Sequence, residues 1–171
     1  MPITKEILEK HPNEVFVETG TYHGEAVALA LNLGFTTIHT SDVDAGCIAG
    51  VKQQYANNKN VHITLGDSQA MLEKLVPKLN SPTTFWLDAH PLIVPMPLFN
   101  PDFPLLRELL TIKRLLKGTG HVILMDDMRT YSPYEKEILV FAMKQLFPDW
   151  GHGFYADRLT DDDVYWCRGP E

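Results

Sequence analysis

Short, continuously apolar runs alternate along this chain with stretches whose apolar residues recur at helical spacing. VFVET (15–19), TTIHTSD (36–42), VHITLG (61–66), TTFWLD (83–88) and HVILMDD (121–127) are rich in β-branched and aromatic residues and read as strands. Between them, GEAVALALNLG (24–34), AGCIAGVKQQYANN (45–58), SQAMLEKLVPKL (68–79) and PLLRELLTIKRLLKG (104–118) carry apolar stripes at helical spacing, and SPYEKEILVFAMKQLF (132–147) adds one more helix. Pro77 should end or bend the third of these, and Pro104 and Gly118 suit the start and the end of the fourth. Beyond Pro148, GFYADRL and VYWCRG flank TDDD and predict an antiparallel hairpin.

Strands apolar on both faces and separated by helices predict a parallel sheet covered on each side. The expected fold is α/β: a Rossmann-like, doubly wound, mostly parallel seven-stranded sheet with a C-terminal antiparallel hairpin. A chain of 171 residues with 44% hydrophobic content fits one domain over 1–171. One segment breaks the rhythm, PLIVPMPLFNPDFP (91–104), too apolar for an idle loop and too rich in proline for a helix.

Charge and cysteine usage narrow the function classes. A net charge of −7 with no local Lys/Arg cluster argues against a nucleic-acid partner. Cys47 and Cys167 stand in no metal-type spacing and read as reduced thiols. The first fourteen residues lack the apolar core of a signal peptide, and no apolar run approaches the roughly 20 residues that span a bilayer. The expectation is a soluble cytoplasmic protein with no membrane partner.

In doubly wound sheets ligands bind beyond the carboxyl ends of the strands, so the residues there are the candidates. The first end reads ETGTYHG, in which Glu18 lies two residues before Gly20 and six before Gly24. This spacing lacks the GxGxxG that seats a pyrophosphate and suits a ligand whose amine Glu18 reaches; a tight turn without a ligand needs the same glycines. The second end places Asp42 where vicinal ribose hydroxyls are read, with Asp44 as a helix cap. At the third, Asp67, Ser68 and Gln69 stand where an adenine edge would lie, although Ser68 alone fits a helix cap. The fourth ends in Asp88, with His90 two residues on, and the fifth in Asp126 and Asp127. Neighbouring strands are only about 5 Å apart, so the three aspartates should converge and repel unless a hard divalent cation such as Mg²⁺ or Ca²⁺ intervenes. The other reading divides them among a ligand contact, a helix cap and a solvated carboxylate.

Together these residues resemble the class I S-adenosylmethionine-dependent methyltransferases, in particular the metal-dependent O-methyltransferases of catechol and macrocin (sugar) type, over roughly residues 13–168. FVETGTYHGEAV is similar to their first motif, which implies Glu18, Gly20, Tyr22 and Gly24 around the methionine part of the cofactor. SDVD implies Asp42 on the ribose, and GDSQ implies Asp67 and Ser68 beside the adenine. FWLDAH and ILMDD resemble the metal-binding motifs, implying Mg²⁺ on Asp88, Asp126 and Asp127, with Asp88 also facing the cofactor. The chain departs from the catechol type where a lysine base is expected, having Leu92, Ile93 and Val94 there, and few residues precede its first strand to cover an acceptor. The 91–104 segment or a second subunit of a homo-oligomer is the alternative cover.

The resemblance implies transfer of a methyl group to a hydroxyl of a small molecule, sugar or glycan, assisted by Mg²⁺. Asp88 and His90 are the candidate catalytic residues, since one of them must receive the hydroxyl proton; His90 also fits a contact to a strand-end carbonyl. Arg129 fits either an acceptor contact or a salt bridge to Asp126 or Asp127. A metal-independent methyltransferase with another acceptor and a non-catalytic binding module of the same fold are the alternatives.

Overall fold

The computed structural model describes residues 3–89, 103–155 and 164–171. Seven strands form one sheet in the order β3-β2-β1-β4-β5-β7-β6: β1 Val15–Thr19, β2 Thr37–Asp42, β3 Val61–Leu65, β4 Thr83–Leu87, β5 Val122–Met125, β6 Gly151–Tyr155 and β7 Val164–Arg168. The first five pair in parallel; β7 runs antiparallel to β5, and β6 antiparallel to β7. This is the doubly wound sheet with a terminal antiparallel pair that the sequence predicts. The TDDD turn between β6 and β7 lies outside the described residues.

Successive side chains of a strand point to opposite faces, and here both faces are apolar. Val17, Phe85 and Ile123 pack on one side with Leu72 of α4 (Ser68–Leu75), Leu109 and Ile112 of α5 (Pro104–Leu115) and Met143 of α6 (Pro133–Leu146). Phe16, Trp86 and Leu124 pack on the other, against Ile7 and Leu8 of α1 (Lys5–Leu8) and Val27 and Ala30 of α2 (Glu25–Asn32). Phe85 and Trp86 are almost wholly buried, and burying a side chain such as Phe85 stabilises by about 1.5–3 kcal/mol.

Local chemistry accounts for the helix starts. Asp44 caps α3 (Ala45–Gln54) by accepting from the Gly46 and Cys47 N–H groups. Ser132 and Glu135 form a reciprocal capping box on α6, with Pro133 in its first turn. Pro77 falls in a 3-10 turn, Val76–Lys78, that closes α4.

Two elements differ from the expectation. α1 is not predicted; Thr4 caps it by accepting from the Ile7 N–H, and its buried Ile7 and Leu8 cover the sheet. β3 is not buried on both sides, because it is an edge strand: His62, Thr64 and Leu65 are exposed. Among the described residues no helix is long and apolar enough to cross a membrane.

Candidate functional site

The strand order reverses at β1, which lies between β2 and β4. The ladders continue one step past the carboxyl ends there. Gly20 N–H donates to Ser41 O at 2.9 Å, Asp88 N–H to Thr19 O at 3.1 Å and Asp126 N–H to Leu87 O at 3.1 Å. With Thr19 opposite Ser41 and Leu87, and Leu87 opposite Met125, the residues Asp42, Gly20, Asp88 and Asp126 stand in one row across four strands. Such a row at a topological switch point is where doubly wound sheets bind ligands.

Glycine is required in that row. Gly20 has φ +86°, and a Cβ there would stand 2.6 Å from the Asp88 carbonyl oxygen. The loop after β1 thus lies backbone to backbone on the end of β4. Gly24, at φ +82°, immediately precedes α2, where a Cβ would press on both Val51 methyls at 3.3 Å.

Asp42 holds this loop from the other side. Its Oδ2 accepts the Tyr22 N–H and its Oδ1 the Asp44 N–H, both at 2.9 Å. A carboxylate offers about four acceptor positions, so ligand hydroxyls can still be received. Tyr22 takes the left-handed φ of 45°, its ring exposed and packed 3.8 Å, centroid to centroid, from that of His23.

Glu18 lies beneath the loop, only 2% exposed, accepting from Thr40 Oγ1 at 2.6 Å. Burial pushes its carboxyl up to about 8; the Thr40 hydroxyl opposes the shift, and Asp88, Asp42 and Glu25 add to it. The side chain is therefore a neutral acid near pH 7 that a cationic ligand would ionise.

At the end of β3 the residues serve α4. Asp67 is its cap, accepting from the Ala70 N–H at 3.0 Å, with Arg107 Nη1 3.6 Å from its other oxygen. Gln69 Oε1 accepts from Arg107 Nε at 2.5 Å. Ser68 is not the cap: it is the first helical residue, buried, and its hydroxyl donates to Glu108. Glu108 is a site residue that the sequence reading misses. It is wholly buried on α5, and burial raises its carboxyl to about 7 against the opposing Ser68 and Thr19 hydrogen bonds. The available signal was an acid among Leu105, Leu109 and Ile112, on the buried face of the helix.

The aspartates of β4 and β5 do not assemble as a set of three. Asp126 is 4% exposed and pushed up to about 8, first by burial and then by the Asp88 charge. Asp127 turns into the left-handed region at φ 55°, its N–H on Asp126 Oδ1 at 2.6 Å, and its Oδ1 lies 2.5 Å from Arg129 Nη2. Of the two roles open to Arg129, the salt bridge is the one observed. Among the described residues no three His, Cys, Asp or Glu side chains are gathered to hold a metal. The expected Mg²⁺ site on Asp88, Asp126 and Asp127 is thus not shown by the arrangement of these side chains, in which Asp127 pairs with Arg129. His90 and almost all of the 91–104 segment lie outside the described residues.

No family model and no curated protein matches the chain. Its fold is similar to those of solved methyltransferases. The SAH-bound methyltransferase PaMTH1 of Podospora anserina superposes with a TM-score of 0.68 at 15% identity, over 98% of this chain and 76% of that one. The O-methyltransferase TomG of Streptomyces achromogenes, involved in tomaymycin synthesis and in complex with SAM, gives 0.68 at 12% identity, over 98% and 78%. An rRNA methylase of Streptococcus thermophilus gives 0.62 at 15% identity, over 98% and 94%. The fold is that of Rossmann-like methyltransferases.

Proposed function

We propose that this chain is an S-adenosylmethionine-dependent O-methyltransferase, acting as one domain on a hydroxyl of a small molecule, sugar or glycan. The observation that carries the reading is the row Asp42, Gly20, Asp88 and Asp126 at the switch point, with buried Glu18 below it. Glu18 and the Gly20–Gly24 loop would hold the amino-acid end of the cofactor, Asp42 its ribose hydroxyls, and Asp67 and Ser68 the adenine side. Bound there, the cofactor supplies an electrophilic sulfonium methyl.

The chain's own part is to orient and to move a proton. A cationic ammonium group beside Glu18 would lower its raised pKa, so that Glu18 releases its proton to solvent and holds the ammonium group as a carboxylate. Asp42 ties the loop after β1 to the end of β2 through the Tyr22 N–H, and so helps hold the bound cofactor in place for an in-line attack. Asp88, or His90 just beyond it, receives the hydroxyl proton as the oxygen attacks. The Asp127–Arg129 ion pair favours the metal-independent form of this chemistry, since it occupies the third expected ligand.

Two of the similar structures carry the name rRNA methylase, but a net charge of −7 disfavours a polyphosphate acceptor. The test is methyl transfer from labelled S-adenosylmethionine to a panel of catechols and sugars, with and without EDTA. Transfer that survives EDTA supports the metal-independent form, and transfer abolished by EDTA supports the Mg²⁺-assisted one. A chain with no affinity for the cofactor would be a non-catalytic module, contrary to this proposal.

A further inference from the structure

Glu108 is a fully buried acid that the chemistry above leaves unused. It occupies a helix face otherwise filled by Leu105, Leu109 and Ile112, where an apolar side chain would be buried without the desolvation cost of a carboxyl. Its two oxygens take two hydroxyls from different elements. Ser68 Oγ donates to Oε1, and Thr19 Oγ1 donates to Oε2 at 3.3 Å. Ser68 is the first residue of α4, next to the Asp67 cap. Thr19 is the last residue of β1, next to Gly20, and its Oγ1 accepts the Asp88 N–H at 3.2 Å, a donor shared with Thr19 O at 3.1 Å. One carboxyl on α5 thereby joins the ends of β1 and β4 to the start of α4. A threonine hydroxyl rotates freely unless both its roles are filled; with its proton on Glu108, a Thr19 lone pair is held towards the Asp88 amide.

We propose that Glu108 is a positioning residue for the cofactor site, setting the β1 and β4 ends through Thr19 and the adenine side through Ser68. This inference rests on the cofactor reading above. It does not make Glu108 a catalytic residue, because the side chain reaches the site only through other groups.

The test is calorimetric binding of S-adenosylhomocysteine together with thermal unfolding of each variant. Thr19→Val keeps shape and removes the hydroxyl; Thr19→Ser keeps the hydroxyl; Glu108→Gln keeps shape and forces one hydroxyl to accept instead of donate. The expected result is an affinity loss of about tenfold in Thr19→Val and Glu108→Gln, with near wild-type affinity in Thr19→Ser. The double variant Thr19→Val/Glu108→Gln should lose less than the sum of the two single losses, since the Thr19 hydroxyl and Glu108 act as one unit. If Glu108→Gln does not fold, the two Thr19 variants decide. Wild-type affinity in Thr19→Val and Glu108→Gln, whatever their unfolding temperatures, would make the acid merely structural and overturn the inference while leaving the cofactor reading standing. Failure of the wild-type chain itself to bind would overturn both.

Discussion

Gly20 and Asp88 meet backbone to backbone, so closely that a Cβ on residue 20 would stand 2.6 Å from the Asp88 carbonyl oxygen. The contact joins the first loop to the end of β4 and leaves no room for a side chain. Gly20→Ala would bring both this clash and an unfavourable φ of +86°. The expected cost is about 1–3 kcal/mol of stability and loss of cofactor affinity, read by urea unfolding and calorimetry. A variant as stable as wild type would show that the loop moves away freely.

Glu18 sets an alkaline limit on stability. Its folded value is raised from 4.5 to about 8 by burial first, so the folded state holds a proton that the unfolded state releases. Its contribution is fully present below about 4.5, declines as pH rises and is lost above about 8. Glu18's share of the unfolding free energy should therefore fall between these values, so the stability of wild type relative to Glu18→Gln should decrease as pH rises from about 4.5 to about 8. A wild-type-minus-variant difference that does not change with pH would assign no such effect to Glu18.

His11 and His39 set the acid limit. Burial lowers both from 6.5 to about 4, with the Arg168 and Lys10 charges adding at His11 and His62 at His39. The unfolded chain binds protons more readily in this window, so stability is present above 6.5 and lost as pH falls towards 4. The buried acids Glu18, Glu108 and Asp126 gain stability as pH falls through the same window, so the readout is a difference between chains: from pH 7 to pH 4.5, circular dichroism melts should show His39→Asn gaining stability relative to wild type. The same pH response in both chains would clear His39.

The strands and most helices were legible because their apolar pattern needs no tertiary information, and the acids because a doubly wound sheet makes the carboxyl end of each strand a functional coordinate. α1 was hidden because its four residues bring only Ile7 and Leu8, too few to show a period. Glu108 was hidden because its meaning lies in Thr19 and Ser68, distant in sequence. Asp127 looked like a third ligand because strand spacing foretells where a residue stands; the left-handed turn that carries it to Arg129 is a local backbone choice. β3 was misjudged because position in the sheet order, not its own sequence, leaves it at the edge.

The Asp127–Arg129 pair makes a prediction about cations. Millimolar Mg²⁺ should not raise the unfolding temperature of the wild-type chain, whereas Arg129→Gln, which releases Asp127, should gain a Mg²⁺-dependent rise. A rise already present in wild type and abolished by Asp126→Asn would restore the three-aspartate site.

The central claim is that the row at the switch point receives an adenosyl cofactor, and calorimetric titration of S-adenosylhomocysteine into the wild-type chain and Asp42→Ala tests it most directly. The account predicts saturable one-to-one binding to wild type, unchanged by EDTA and weakened at least about tenfold in Asp42→Ala, whose loop after β1 loses the acceptor of its Tyr22 N–H. No binding to wild type, or equal binding to both, would contradict it.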